Sequence, residues 1–217
     1  MKKFADWYVP DGDQYCSEFQ VKRRFSLYKT QNSWIKKHIK YTNLYIDVGA
    51  NFGHTAVPFK TWFKKIVAFE ITPKNYECLV ANAKECSNIV CYNLGLSNQH
   101  GMVNVLEYST AGSVNTIEST KLETQSGKKR KPVIVQRPVT TLDLMFPTEI
   151  VNLMKIDVEG HEVAVVEGGK ELLSRSRGVM YVETSDKEKE KLCILLNDLG
   201  WKYISRKGMT DLLFKKK

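Results

Sequence analysis

Long hydrophobic runs are missing from this chain. No apolar stretch approaches the roughly 20 residues that a bilayer-crossing helix needs, so no membrane partner is expected. The opening Met1-Lys2-Lys3-Phe4-Ala5-Asp6-Trp7 breaks up too soon to read as a secretory signal. Cysteine is scarce and unpaired in pattern. Cys16, Cys78, Cys86, Cys91 and Cys193 are odd in number and contain no C-x-x-C, which speaks against both a zinc site and a disulfide framework. Reduced thiols in a cytoplasm are the simple expectation. Internal repeats are absent too. What remains is ordinary for a globular protein: 217 residues, 42% hydrophobic and 26% charged, enough for one domain with a real core. The formal net charge of +9 stands out. Part of it is local, in Lys128-Lys129-Arg130-Lys131 and Lys215-Lys216-Lys217, and such runs are usually solvated loops and tails.

The most informative segment is Tyr45-Ile46-Asp47-Val48-Gly49-Ala50-Asn51-Phe52-Gly53-His54. An apolar run ends in an acid, and a glycine-bearing turn follows. A strand ending this way presents a carboxylate and bare backbone at one edge of a sheet. The spacing departs from the dinucleotide pattern G-x-G-x-x-G, because Asn51 stands where the second glycine would be. A pyrophosphate needs uncovered backbone there and is repelled by an acid such as Asp47. A nucleoside-like ligand that is not strongly anionic fits better, and cationic S-adenosylmethionine suits the turn more than a dinucleotide does.

From residue 43 onward, short apolar runs alternate with amphipathic helical stretches, which implies a parallel sheet covered by helices on both faces. Strands are expected at Leu44 to Val48, Ile66 to Glu70, Ile89 to Leu94, Leu153 to Asp157 and Val179 to Glu183. A short helix is expected after Gly53, through Phe59 and Trp62. Another opens at Pro73, with Thr72 as cap and Tyr76, Leu79, Val80 and Ala83 at helical spacing. Further helices are expected from Val163 to Leu173 and from Glu188 to Leu199, the latter stopped by Gly200. Trp201 to Ile204 and Leu212 to Phe214 read as a closing hairpin. Between strands three and four, Val103 to Tyr108 and Val133 to Val139 read as an inserted strand pair around a long polar stretch, which includes the basic loop 119–137. Residues 1–40 form a separate N-terminal segment with a helix near Asn32 to Ile39, and 41–217 form the main domain. Trp7, Tyr8, Arg23 and Arg24 would let the segment serve as a lid, although packing on the core is the simpler role.

Taken together, IDVGANFGHT, AFEITPKNYECLVANA, VTTLDLM and LMKIDVEGHEVAVVEGGKELL resemble the FkbM family of S-adenosylmethionine-dependent methyltransferases, over roughly residues 43 to 185. The resemblance implies a class I methyltransferase fold: an α/β, Rossmann-like three-layer sandwich around a mostly parallel seven-stranded sheet with one antiparallel strand, which agrees with the C-terminal hairpin. It implies O-methylation of a sugar, glycan or small hydroxylated molecule. It also places Asp47 beside the methionine portion of the cofactor, and the adenine pocket at Gly95 and Leu96.

Other residues read directly. Gly49 and Gly53 allow close backbone approach or positive φ, and Asn51 either contacts the cofactor or tolerates a left-handed turn. Glu70 lies 21 residues after Gly49, the spacing at which an acid reaches two ribose hydroxyls, and Ile71 follows against the adenine. After strand four come Asp157, Glu159, His161 and Glu162. Methyl transfer to a hydroxyl needs an aligned acceptor and benefits from a base. Asp157 and Glu159 are the expected catalytic residues, with Asp157 also at the cofactor. His161 is a candidate base by its pKa, although the family pattern does not include it. The pattern is not diagnostic of a metal, but Asp157, Glu183 and Asp186 offer oxygen ligands to a divalent cation. Lys155 sits inside strand four and either pairs with an acid or makes a packing contact. The charge of +9 keeps a nucleic-acid methyltransferase as an alternative. It is disfavoured because Glu183 stands where ribose methyltransferases place a lysine, and no N-P-P-Y-type motif occurs. A non-catalytic cofactor-binding module is the third alternative.

Overall fold

The computed structural model of the chain describes residues 1–4, 6–11, 30–107, 116–117, 132–208 and 210–217. The chain opens with a hairpin, β1 (Lys2–Phe4) and β2 (Trp7–Val9), and a helix, α1, described over 30–36. Next come β3 (Leu44–Val48), β4 (Lys65–Phe69), α2 (Pro73–Ala83) and β5 (Ile89–Tyr92). The inserted region holds β6 (Gly95–Leu96), β7 (Gly101–Glu107), β8 (Thr116–Ile117) and β9 (Val133–Thr140). The chain then runs through α3 (Leu142–Met145), β10 (Leu153–Ile156), α4 (Glu162–Glu167), α5 (Lys170–Arg175) and β11 (Gly178–Glu183). It closes with α6 (Asp186–Asp198), β12 (Lys202–Lys207) and β13 (Asp211–Lys216).

The main sheet has seven strands in the order β12-β13-β11-β10-β3-β4-β5. Only β13 runs against the others, pairing antiparallel with both β11 and β12. Alternation along each strand sorts the side chains onto two faces. Ile46, Val48, Met154, Ile156, Met180 and Val182 face α4, α5 and α6, where Leu172, Leu192, Leu196 and Trp201 complete one core. Tyr45, Leu153, Val179 and Leu213 face the other way and pack with Ile35 of α1, Phe59, Phe63 and Leu79 of α2. The result is a three-layer sandwich, as the sequence implies. Among the described residues, no helix is long and apolar enough to cross a membrane.

Several elements differ from expectation for local reasons. The helix after Gly53 is only a 3-10 turn, Val57–Phe59. Pro58 can donate no backbone bond there, and the turn is closed by short-range bonds such as Phe59 N to Ala56 O and Lys60 N to Val57 O. The helix expected from Val163 to Leu173 is two helices, broken at Gly168-Gly169. A Cβ on Gly168 would lie 1.9 Å from the Ser97 carbonyl oxygen, so the chain must pass as glycine where it crosses the inserted region. Strand three ends at Tyr92, because the Asn93 side chain, not its backbone, donates to the Glu70 carbonyl at 2.8 Å. In α2, Val80 is exposed and Cys78 is buried in its stead, and the Thr72 side chain makes no capping bond. The inserted pair is larger than expected: β6-β9-β7-β8 form a separate four-stranded sheet. The polar stretch between β7 and β9, Lys128 to Lys131 included, lies outside the described residues apart from β8.

Candidate active site

Most of the site residues come from strand ends or loops at the carboxyl edge of the main sheet, where open α/β sheets place their crevice. Cross-strand register explains the polar layer there. Lys155 of β10 sits opposite Asp47 of β3 on one side and Tyr181 of β11 on the other. Glu183 sits opposite Asp211 of β13. Partners across a sheet share a face, so these groups line up on the face that carries α1.

Asp47 is fully buried. Its Oδ2 accepts a bond from Thr55 Oγ1 at 2.5 Å, and its Oδ1 lies 3.6 Å from Lys155 Nζ. Burial raises its pKa, while Lys155 and Thr55 oppose the rise. Lys155 is buried as well and reaches further. Its ammonium lies 3.1 Å from Asp157 Oδ2 and donates to the Gly49 carbonyl at 3.2 Å. Burial acts against this cation, but Asp157 and Asp47 outweigh it and raise its pKa. Lys155 is thus the ionic centre of the site, tying the acid of β3, the turn after β3 and the acid after β10 into one unit.

The two loops touch. Asp157 N donates to Val48 O at 3.1 Å, and a Cβ on Gly49 would lie 1.9 Å from the Asp157 carbonyl oxygen. Gly49 has φ +78°, so glycine is required there twice over, by conformation and by space. Among the described residues, only two non-glycines have positive φ: Asn51 at 53° and Glu159 at 54°. One lies in the loop after β3, the other in the loop after β10. Such conformations cost energy and tend to mark functional loops.

Glu70 follows β4 and is nearly buried. Its Oε2 accepts from Asn51 N and its Oε1 from Thr72 N, each at 2.8 Å. Burial pushes its pKa up to about 7, against the pull of those two backbone donors. Both oxygens keep lone pairs for a further donor. Ile71 turns toward the second sheet, packing with Val105, Ile117 and Val139 and closing over Gly95, so only part of it remains for a ligand. Leu96 corrects its expectation. Gly95 and Leu96 belong to β6 and pair with Val139 and Thr140 of β9, and the Leu96 side chain is committed to the core. It offers backbone at most.

Beyond Asp157, the loop carries Glu159, His161 and Glu162. Glu162 is buried, and its Oε1 accepts from Gly160 N at 2.9 Å and Val158 N at 3.3 Å. It braces the turn that carries Glu159. Burial pushes its pKa up to about 7. Glu159 and Glu183 are both raised well above the ordinary carboxylate range. For Glu159 the main cause is burial, followed by the charges of Asp157 and Glu183; for Glu183 it is Asp157, followed by burial. His161 has its Nε2 2.9 Å from Ser97 Oγ, and burial lowers its pKa to about 4, leaving it neutral. Asp186 forms an exposed ion pair with Arg206 at 3.1 Å. Among the described residues, no three His, Cys, Asp or Glu side chains are arranged to hold a metal ion.

The N-terminal hairpin packs on α2 and on the turn after β3. Trp7 stands edge-on to Phe52, and the Asn82 side chain bonds both the Tyr8 backbone and the Phe52 carbonyl. Arg23 and Arg24 lie outside the described residues. Sequence reading missed Ser97, Asn93, Tyr181 and Asp211. Only Tyr181 and Asp211 left a signal: Tyr181 continues the row of Asp47 and Lys155, and Asp211 stands opposite Glu183.

These raised acids make stability depend on pH. Glu70 and Glu162 move from an ordinary value near 4.5 to about 7 on folding. Folding therefore takes up protons between those values, and stability is greatest at the acid end and is lost as pH rises through 7. The melting temperature is expected to fall by about 5 °C or more between pH 5.5 and pH 8.5. A melting temperature that rises over that interval contradicts the assignment.

A seven-stranded sheet with one reversed strand, carrying paired acidic loops at its carboxyl edge, defines the class I methyltransferase architecture. The methyltransferase FkbM domain matches residues 47–203, and the chain belongs to that family. No curated protein sequence matches it significantly. Among solved structures it is similar to the methyltransferase FkbM from Methylobacillus flagellatus KT, at TM-score 0.60 and 12% identity, over 91% of this chain and 52% of that one. It therefore spans about half the length of that protein. It is also similar to magnesium protoporphyrin IX methyltransferase from Synechocystis PCC 6803 with bound SAM, at TM-score 0.54, 10% identity and coverage of 95% and 86%. A third similarity is to precorrin-6y C5,15-methyltransferase from Geobacter metallireducens GS-15, at TM-score 0.53, 11% identity and coverage of 100% and 98%. At such identities the likeness is one of fold.

Proposed function

We propose that the chain is an S-adenosylmethionine-dependent O-methyltransferase acting on a hydroxyl of a sugar, glycan or small hydroxylated molecule. The observation that carries this reading is the contact of two loops that each hold a strained residue, Asn51 beside Glu70 after β3 and Glu159 near Asp157 after β10. The residues fit the cofactor. Glu70 is a buried acceptor with spare lone pairs, suited to a cis-diol, and Asp47 Oδ1 is buried without a hydrogen-bond donor. Acids in this number suit a sulfonium and reject a pyrophosphate.

When bound, S-adenosylmethionine would supply an electrophilic methyl carbon. Glu70 would accept hydroxyl donors, and Gly49, Asn51 and Gly53 would offer backbone. Asp157, fixed by Lys155, would orient the acceptor at the loop junction. Glu159 takes the acceptor's hydroxyl proton, since a carboxylate raised toward neutrality is the better base. His161 is bonded to Ser97, so Glu159 replaces it in that role. The rim formed by Asp157, Glu159, Glu183 and Asp211 repels phosphates, which favours a glycan or neutral hydroxyl compound over nucleic acid.

Release of S-adenosylhomocysteine is the assay, run with a panel of hydroxylated sugars and small molecules beside RNA and DNA. Turnover with a hydroxyl compound supports the reading, and turnover with nucleic acid alone overturns it. Cofactor affinity should follow Glu70. Hydroxyls donate to the ionised form, so affinity rises as pH increases through about 7. Between pH 8 and pH 6 the dissociation constant for S-adenosylhomocysteine is expected to weaken roughly tenfold. Glu70→Gln should bind weakly at both pH values; a variant that keeps the wild-type profile excludes this role.

A further inference from the structure

The opposite edge of the sheet carries the chain's charge. The segments entering the strands there are 36–43 before β3, 60–65 before β4 and 176–178 at the start of β11, with 215–217 at the end of β13. They contain ten Lys or Arg and no Asp or Glu, more than the whole net excess of +9. Glu85 and Glu149 are acids on flanking loops, and Asp198 ends α6. The clustering is spatial as well as sequential. Lys40 Nζ and the Arg177 guanidinium both stand 5.3 Å from the Tyr41 ring. Lys36 Nζ stands 4.1 Å from the Trp62 ring. Lys215 and Lys37 together lower the pKa of His38, after burial. Trp62 is 41% exposed and Tyr41 38% exposed, large rings left at a charged surface.

We infer that this basic edge attaches the protein to the surface of an anionic lipid bilayer. Clustered lysines are attracted to an anionic headgroup layer, and Trp and Tyr favour the water–hydrocarbon boundary. Attachment of this kind needs no crossing helix. Nucleic acid would bring the same phosphates, but base stacking needs free ring faces, and Tyr41 already carries both Lys40 and Arg177 over its ring. Charge separation also sets the orientation. The acids gather at the carboxyl edge, so a bilayer draws the amino edge toward itself and leaves the candidate active site facing away.

The test is co-sedimentation of the full chain with vesicles of phosphatidylcholine and phosphatidylserine, at about 7:3, and of phosphatidylcholine alone. Binding is expected only with the anionic vesicles, and is lost at high salt. The triple variant Lys37→Glu, Lys40→Glu, Lys64→Glu should bind about 100-fold more weakly. All three lysines are exposed, so folding is preserved and is checked by the melting temperature. A charge-matched control, Lys74→Glu, Lys170→Glu, Lys187→Glu, should lose far less. S-adenosylhomocysteine binding should stay unchanged in both variants, and its failure in the wild type would bear on the proposed reaction, not on this surface. Absence of binding to anionic vesicles at low salt overturns the inference. So does an equal loss in the control variant, and so does binding to duplex DNA without binding to vesicles.

Discussion

Lys155→Met is expected to destabilise the protein by about 3–5 kcal/mol, the usual cost of removing one partner from a buried ion pair. The reason is local. Asp47 has no exposure to solvent, and its Oδ1 is served by Lys155 and not by a hydrogen-bond donor. Methionine has nearly the length of lysine, so the void is small and the loss is electrostatic. For a chain of this size, the melting temperature should fall by about 10 °C or more. The second variant separates charge from packing. Lys155→Met combined with Asp47→Asn removes the uncompensated carboxylate of β3 and should recover most of the loss. Thermal melts of the wild type, the single and the double variant decide the matter. A single variant that melts within a degree or two of the wild type would show that the ammonium is not the ionic centre.

Glu159→Gln is expected to lower turnover by about 100- to 10,000-fold, the range for loss of a general base. Its binding of S-adenosylhomocysteine should stay within about threefold of the wild type, because the cofactor groups lie on β3 and β4, not on this loop. Glutamine keeps the size of the side chain and its tolerance of the backbone, where φ is 54°. The rate at high pH is the discriminating readout. With cofactor saturating, the wild type should gain activity as Glu159 ionises, whereas the variant should be flat across that range. Release of S-adenosylhomocysteine with the accepted hydroxyl compound measures both quantities. Full activity in the variant would move the base to Asp157, Glu183 or His161.

Much of this was legible in the sequence, because it depends on period and punctuation. Alternation of apolar runs with helical stretches located every strand of the main sheet, and the acid at the end of Leu44 to Val48 marked the crevice. Proline at 73 and glycine at 200 fixed helix ends, since one cannot donate a backbone bond and the other takes a positive φ of 83°. What escaped was non-local. Gly168 reads as a weak helix residue until Ser97 is found against it. Leu96 reads as a strand end until β9 pairs with it. The partner of His161 is 64 residues away, and no spacing rule reaches Ser97. Lys155 was visible as a lone cation in an apolar strand, but its bond to two acids emerges only once register sets it opposite Asp47. The pKa changes escaped for the same reason, as each comes from burial and from neighbours on other strands.

Calorimetric titration of the full chain with S-adenosylhomocysteine tests the central claim most directly. The account predicts one saturable site per chain, weakened by Glu70→Gln and indifferent to the lysines of the opposite edge. A folded protein that gives no saturable heat, or that binds equally well with Glu70→Gln, would contradict it.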